Sequence, residues 1–124
     1  MLLEQELTGK IIGAAIEVHK ELGPGLLESA YQHCLARELS LRELDFQREV
    51  SLPIQYKGEA LDGGYRADFI IAQKVIVELK AIEALAPIHE AQLLTYLKLS
   101  GCHVGLLINF NVSTLKDGII RRVL

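Results

Sequence analysis

Residues 65–80 read YRADFIIAQKVIVELK, two β-rich runs on either side of Gln73. Side chains alternate faces along a strand. On the first run Arg66, Asp68 and Ile70 therefore share one face, and Ala67, Phe69 and Ile71 share the other. On the second run Ile76, Glu78 and Lys80 oppose Val75, Val77 and Leu79. The Ala67 and Val75 sets are apolar throughout and are expected against a helix layer, which leaves Asp68, Glu78 and Lys80 together on the opposite face. A tight antiparallel hairpin turning on Gln73 sets Asp68 directly across from Glu78, with Cβ atoms ~5 Å apart. Two facing carboxylates repel unless something positive lies between them. A divalent cation with oxygen ligands meets that need, and Mg²⁺ is typically held by one or two carboxylates with waters and phosphate. Lys80, two residues beyond Glu78, is placed to orient or deprotonate a water, or to stabilise charge on a phosphate. The plainer alternative is a solvated sheet face on which Lys80 neutralises Asp68 or Glu78. Against it, the charges sit in otherwise apolar strands, followed by a helix able to cover the same face.

Upstream of the hairpin, FQREVSLPIQY (46–56) alternates roughly and reads as one strand, with Pro53 marking an edge or a bulge. Lys57-Gly58-Glu59 and Asp62-Gly63-Gly64 are turn signals. Further upstream, Leu7, Ile11, Ala14, Ala15, Val18 and Leu22 recur at helical spacing. Gly23-Pro24-Gly25 ends that helix, and a second runs from about Leu26 to Leu39, making an αα-hairpin. Downstream, Pro87 fits the first turn of a third helix that ends at Gly101. HVGLLINF (103–110) is continuously apolar, as in a strand covered on both faces, and Gly118–Leu124 adds a short last strand. Helix, helix, three strands, helix, strand is the order of a layered α/β domain with a mixed sheet.

The 124 residues are expected to form one domain, 1–124, with half of them apolar and 23% charged. A chain of this length can bury roughly two-thirds of its unfolded surface without disulfides or a structural metal. No apolar run is long enough to cross a bilayer, and the first residues lack the pattern of a signal peptide, so a soluble cytoplasmic protein without a membrane partner is expected. Thirteen Lys and Arg against sixteen Asp and Glu give a net charge of -3, which disfavours bulk electrostatic binding of DNA. Cys34 and Cys102 match neither a metal spacing nor a disulfide framework and read as reduced, mostly buried thiols. The histidines at 19, 33, 89 and 103 form no paired spacing, which argues against zinc. His89 reads as an exposed helix residue, and Arg121 and Arg122 as a solvated tail.

Asp68, a short hairpin and Glu78-Leu79-Lys80 resemble the D…(D/E)xK signature of the PD-(D/E)XK nuclease superfamily. Gln92-Leu93-Leu94-Thr95-Tyr96 is similar to the QxxxY element of its RecB-like members. Gly25-Leu26-Leu27-Glu28-Ser29-Ala30-Tyr31 resembles the element that names the GxxExxY protein family. These motifs occur in matching order from about Leu7 to Phe110. The resemblance implies a restriction-endonuclease-like αβββαβ core, preceded by the αα-hairpin, in which Asp68 and Glu78 ligate Mg²⁺ or Mn²⁺. Lys80 would act near the water or the scissile phosphate, and Gln92 and Tyr96, on one helix face, would approach the same site. Ala67 stands where the nominal motif has Pro. Glu28 carries two readings: an N3 carboxylate bonding back to a Gly25 cap, or an acidic contribution to the metal site. Tyr31, on the same face, bonds a site carboxylate or phosphate, or fills core.

These features leave two classes of function open. One is a metal-dependent phosphodiesterase acting on DNA or RNA. The other is a catalytically silent nuclease-fold domain that binds nucleic acid or a protein. So small a surface grips a duplex poorly, and a homodimer or a protein partner would supply the missing contacts.

Overall fold

The helical spacing of the first forty residues is realised as two helices. In the computed structural model, which describes residues 3–124, α1 spans Gln5–Leu22 and α2 spans Glu28–Leu41. Gly23 and Gly25 adopt φ of 67° and 100°, angles open to a residue without a Cβ. The Gly23 N–H closes α1 on His19 O at 2.7 Å. α2 starts later than the sequence suggests, because extended Leu27, not Gly25, is its N-cap. Glu28 therefore opens the helix and is not at its third position, so the reciprocal bond to a Gly25 cap does not form. Its carboxylate still stands at the positive end of the helix dipole.

Among the described residues the chain then forms seven strands: β1 (Phe46–Ser51), β2 (Ile54–Tyr56), β3 (Glu59–Leu61), β4 (Arg66–Ile71), β5 (Val75–Lys80), β6 (Val104–Asn109) and β7 (Ile119–Val123). Helix α3 (Pro87–Ser100) joins β5 to β6, and a 3-10 turn (Leu115–Gly118) precedes β7. The main sheet has the spatial order β1-β4-β5-β6-β7, with β5 and β6 parallel and the other neighbours antiparallel. This is the expected five-stranded mixed sheet flanked by helices, consistent with a restriction-endonuclease-like fold. The expected single strand over 46–56 is broken at Leu52-Pro53, since Pro53 has no N–H to give a ladder. Past the break the chain forms a separate hairpin, β2–β3, turned by Lys57 and Gly58 at φ of 47° and 87°. The tail is a sheet strand, not a solvated segment, and Arg122 pairs with Glu90 at 2.8 Å.

Two apolar clusters sandwich the sheet. One joins α1 and α2 to Phe69, Ile71, Val75, Val77, Leu79, Leu106 and Ile108; the other joins Leu93 and Leu97 of α3 to Ala67, Ile70, Ile76 and Leu107. Every residue of β6 is buried, as its apolar run predicts. Cys34 is half-buried and Cys102 buried, both free thiols. His89 is half-buried, not exposed, and its Nδ1 accepts the Ala86 N–H at 2.8 Å at the start of α3.

One departure from simple alternation locates the site. The β1–β4 ladder pairs Phe46 to Arg48 with Ile71 to Phe69, skips Glu49 and Asp68, and resumes at Val50↔Ala67. Glu49 has φ 50°, a left-handed twist inside a strand. Beyond it the faces exchange: Phe46, Phe69 and Ile71 pack with α1 and α2, but Val50 and Ala67 pack with α3. The expectation that Ala67 shares a face with Phe69 therefore fails, and it fails at Asp68.

Tyr31 is fully buried and stacks on Phe110 with ring centroids 4.5 Å apart. Its hydroxyl donates to Gly23 O at 2.5 Å and accepts the Leu26 N–H at 3.2 Å, so it braces the turn between α1 and α2. Tyr31→Phe is expected to lower stability by about 1–2 kcal/mol, the cost of leaving turn groups unpaired. Urea denaturation measures it; a neutral substitution would deny the hydroxyl this role.

Candidate active site

Between β4 and β5 the ladder pairs Ile71↔Val75, Ile70↔Ile76 and Phe69↔Val77, the register that a turn on Gln73 predicts. Ala72 and Gln73, both at positive φ, close that turn, and the Lys74 N–H donates to Ile71 O at 3.0 Å. One step beyond the last pair, side chains replace the ladder. The Asp68 N–H donates to Glu78 Oε1 at 2.8 Å, and the Leu79 N–H donates to Asp68 Oδ2 at 2.8 Å. On its other edge β5 stays paired with β6 as far as Lys80↔Asn109. The sheet is thus open on the β4 side only, and the two carboxylates fill the opening.

Other elements converge there. Gln32 Nε2 of α2 donates to Asp68 Oδ1 at 3.3 Å, and Gln32 Oε1 accepts Arg48 Nη2 of β1 at 2.9 Å. Asn109 accepts the Ile82 N–H at 3.1 Å and donates to Ile82 O at 3.0 Å, which holds the chain as it leaves Lys80. Tyr96 of α3 sits edge-on to Tyr65 at 6.0 Å.

The electrostatics are dominated by acids. Glu78 is 7% exposed, and burial, then the Asp68 charge, push its carboxyl up to about 9; the Asp68 N–H and Lys80 pull the other way. Asp68 is raised by burial, against the Leu79 N–H, Lys80 and Gln32. Glu28 is raised by partial burial of its carboxyl and by Asp68, with Lys80 opposing. Tyr96 is pushed up to about 12 by burial and by Glu78 and Asp68, so its hydroxyl keeps its proton and remains a donor. The charge of Lys80, a half-buried residue, thus acts on all three acids.

The structure therefore brings Glu28, Lys80 and Tyr96 each within electrostatic reach of Asp68 and Glu78. Gln92 is exposed, one turn before Tyr96 on α3. Tyr31 turns its hydroxyl to the αα-turn and away from the carboxylates. Gln32 and Arg48 are site residues that the sequence reading did not single out. Gln32 had a usable signal, four residues after Glu28 and so on its face of α2.

The donors available to a cation are carboxylate oxygens, which suit Mg²⁺ or Mn²⁺ and not a thiolate- or imidazole-seeking metal. Among the described residues no three His, Cys, Asp or Glu side chains gather closely enough to hold a metal alone. A cation at Asp68 and Glu78 would complete its shell with water or substrate oxygen, the usual habit of Mg²⁺.

A family model described as the PD-(D/E)XK nuclease superfamily matches residues 5–123, and the chain belongs to that superfamily. No curated protein matches it. A solved structure described as "Crystal structure of SSO0001" is similar at 20% identity and a TM-score of 0.42, over 96% of this chain and 77% of that one. Among the described residues no helix is long and apolar enough to cross a membrane.

The raised Glu78 carboxyl makes stability depend on pH. Folded Glu78 holds its proton to about 9 and the unfolded chain releases it near 4.5, so between these values the native form binds more protons. Stability then falls as pH rises through that window. Glu78→Gln keeps an acceptor for the Asp68 N–H and removes the charge. Without divalent ions it is expected to match the wild type at pH 5 and exceed it by about 1–3 kcal/mol at pH 8.5, read by urea denaturation in EDTA. Parallel pH profiles for the two proteins would refute the shift.

Proposed function

We propose that the chain is a metal-dependent nuclease that hydrolyses phosphodiester bonds in DNA or RNA. Asp68 and Glu78 hold Mg²⁺ or Mn²⁺, and Lys80 assists the water or the phosphate. The observation that carries this reading is the crossed pair of bonds between Asp68 and Glu78. Each carboxyl group has one oxygen tied to a backbone N–H of the neighbouring strand, so both are anchored at the gap before any ligand arrives. When bound, the cation polarises the phosphate and lowers the pKa of a water.

The remaining work falls to the chain's own groups. Glu78 gives up its proton as a cation binds, so affinity rises with pH. Lys80 stabilises negative charge on the phosphate or orients the water. Tyr96, which keeps its hydroxyl proton, donates a hydrogen bond to a phosphate oxygen, and Gln92, exposed on the same helix face, reaches substrate. Glu28 adds negative charge at the mouth of the site. The whole of 1–124 acts as one nuclease-like domain in the cytoplasm, with a homodimer or a protein partner extending its grip on nucleic acid.

A second reading, a catalytically silent nuclease-fold domain that binds nucleic acid or protein, is favoured by the net charge of -3 and by the lack, among the described residues, of a third ligating side chain.

The two readings separate in one experiment. Calorimetry with Mn²⁺ is run beside cleavage assays on single- and double-stranded DNA and RNA. The variants are Asp68→Ala, Glu78→Ala and Lys80→Ala, with Asp68→Asn and Glu78→Gln retaining the backbone acceptors. Nuclease action predicts that Mn²⁺ binding vanishes in the Asp68 and Glu78 variants. Cleavage falls by roughly 10²–10⁴-fold in all five, and Asp68→Asn and Glu78→Gln show that loss with folding kept. Nucleic-acid binding that survives these substitutions, with no cleavage by the wild type, would establish the silent domain.

A further inference from the structure

Asp68 receives two donors, and only one of them comes from the backbone. The Leu79 N–H fixes Oδ2 at 2.8 Å, while Gln32 Nε2 reaches Oδ1 at 3.3 Å. The torsion that swings a carboxylate about its Cβ–Cγ bond is broad, so one donor leaves the group free to pivot and two restrain it. The orientation of Gln32 is decided in turn by Arg48. A guanidinium can only donate, so Arg48 Nη2, 2.9 Å from the Gln32 side chain, must face its carbonyl oxygen. The amide NH₂ is thereby directed at Asp68. The same nitrogen donates to His33 Nδ1 at 3.1 Å.

Arg48 is an unusual choice for a purely electrostatic task. Its Nε is buried without a hydrogen-bond partner, and among the described residues it joins no ion pair within 4.0 Å. It spends its charge on a neutral amide, although acids lie just beyond. Its neighbour Glu49 carries the left-handed twist that interrupts β1 opposite Asp68.

We infer that Gln32, oriented by Arg48, is a positioning residue that fixes the Asp68 carboxylate for cation binding. The inference rests on the nuclease reading for its purpose and on the three-residue chain Arg48–Gln32–Asp68 for its substance. Outer hydrogen bonds to metal-ligating groups commonly change metal affinity 10–100-fold.

The test uses two readouts on the intact chain. The first needs no metal: amide hydrogen exchange by NMR at Leu79, with the β6 amides as internal reference. Gln32→Met keeps the bulk of the side chain and removes both polar atoms. It is expected to speed Leu79 exchange about tenfold while the β6 amides and the melting temperature stay close to wild type. The second is Mn²⁺ calorimetry. Gln32→Met and Arg48→Met are each expected to weaken binding about tenfold, and the double variant no further than either alone, because Arg48 acts through Gln32.

The sign at Arg48 is decisive. Removing a positive charge near a cation site strengthens binding by Coulomb's law alone, whereas losing a positioning contact weakens it. Unchanged or tighter binding by Arg48→Met overturns the inference, as does unaltered Leu79 exchange in Gln32→Met. If Arg48→Met does not fold, Arg48→Gln, which removes the charge and can donate or accept and so no longer fixes the Gln32 amide, is read in its place with the same expected weakening. If the wild type neither binds Mn²⁺ nor cleaves nucleic acid, the nuclease reading falls, and Leu79 exchange alone decides whether Gln32 holds Asp68.

Discussion

Two backbone N–H groups, those of Asp68 and Leu79, find carboxylates where a β-ladder would offer carbonyls. The arrangement of the site depends on this exchange. A hydrogen bond to a charged acceptor such as Asp68 contributes about 1.5–3 kcal/mol, more than an ordinary ladder bond, which offsets part of the cost of bringing two acids into a half-buried gap. Asp68 and Glu78 are therefore structural members of the sheet as well as its most strongly perturbed acids. The conflict between burial and charge is relieved by a proton on Glu78 or by a cation shared with Asp68. Both outcomes leave the backbone bonds in place.

The rest of the molecule divides its labour around that gap. The layer of α1 and α2 buries the broad apolar face of the sheet and carries Glu28 and Gln32 to its open end. On the opposite layer α3, anchored by Leu93 and Leu97, delivers Tyr96. The parallel pair β5–β6 keeps the back of the gap rigid, since β5 is held along its whole length by β6. The twist at Glu49 relaxes the front, where β1 and β4 part company opposite Asp68. A stiff rear and an eased front allow carboxylates to enter a sheet without unzipping it.

Much of this was legible in the residues. Leu7 to Leu22, Pro87 with Gly101, and the run from His103 to Phe110 carry strong local signals, and each became the element those signals predict. The hairpin register followed from the turn at Gln73. Other features lacked a local cause. β2 and β3 are three residues each, mostly exposed, and carry too few apolar positions for a period to show. Gly25 looked like a cap because capping depends on φ and ψ, which Leu27 could also adopt. Strict alternation misplaced Ala67, since the twist that reverses the faces sits on Glu49, a residue with no composition signal for it. The charges of the site were visible one by one, but Arg48–Gln32–Asp68 spans 36 residues of chain and exists only once β1 and α2 are packed.

The place of the Asp68 and Glu78 carboxyl groups in the ladder itself also bears on how such a chain could change over time. In most sites an acid can drift to alanine at little cost to the fold, and a catalyst decays quietly into a scaffold. Here that drift would leave two strand amides without acceptors, and the descendant would have to re-zip β4 onto β5 or retain an oxygen-bearing side chain at both positions. Sequence drift away from these two acids is therefore channelled toward asparagine and glutamine. A relative that had lost its chemistry would still carry the outline of the site in its sheet.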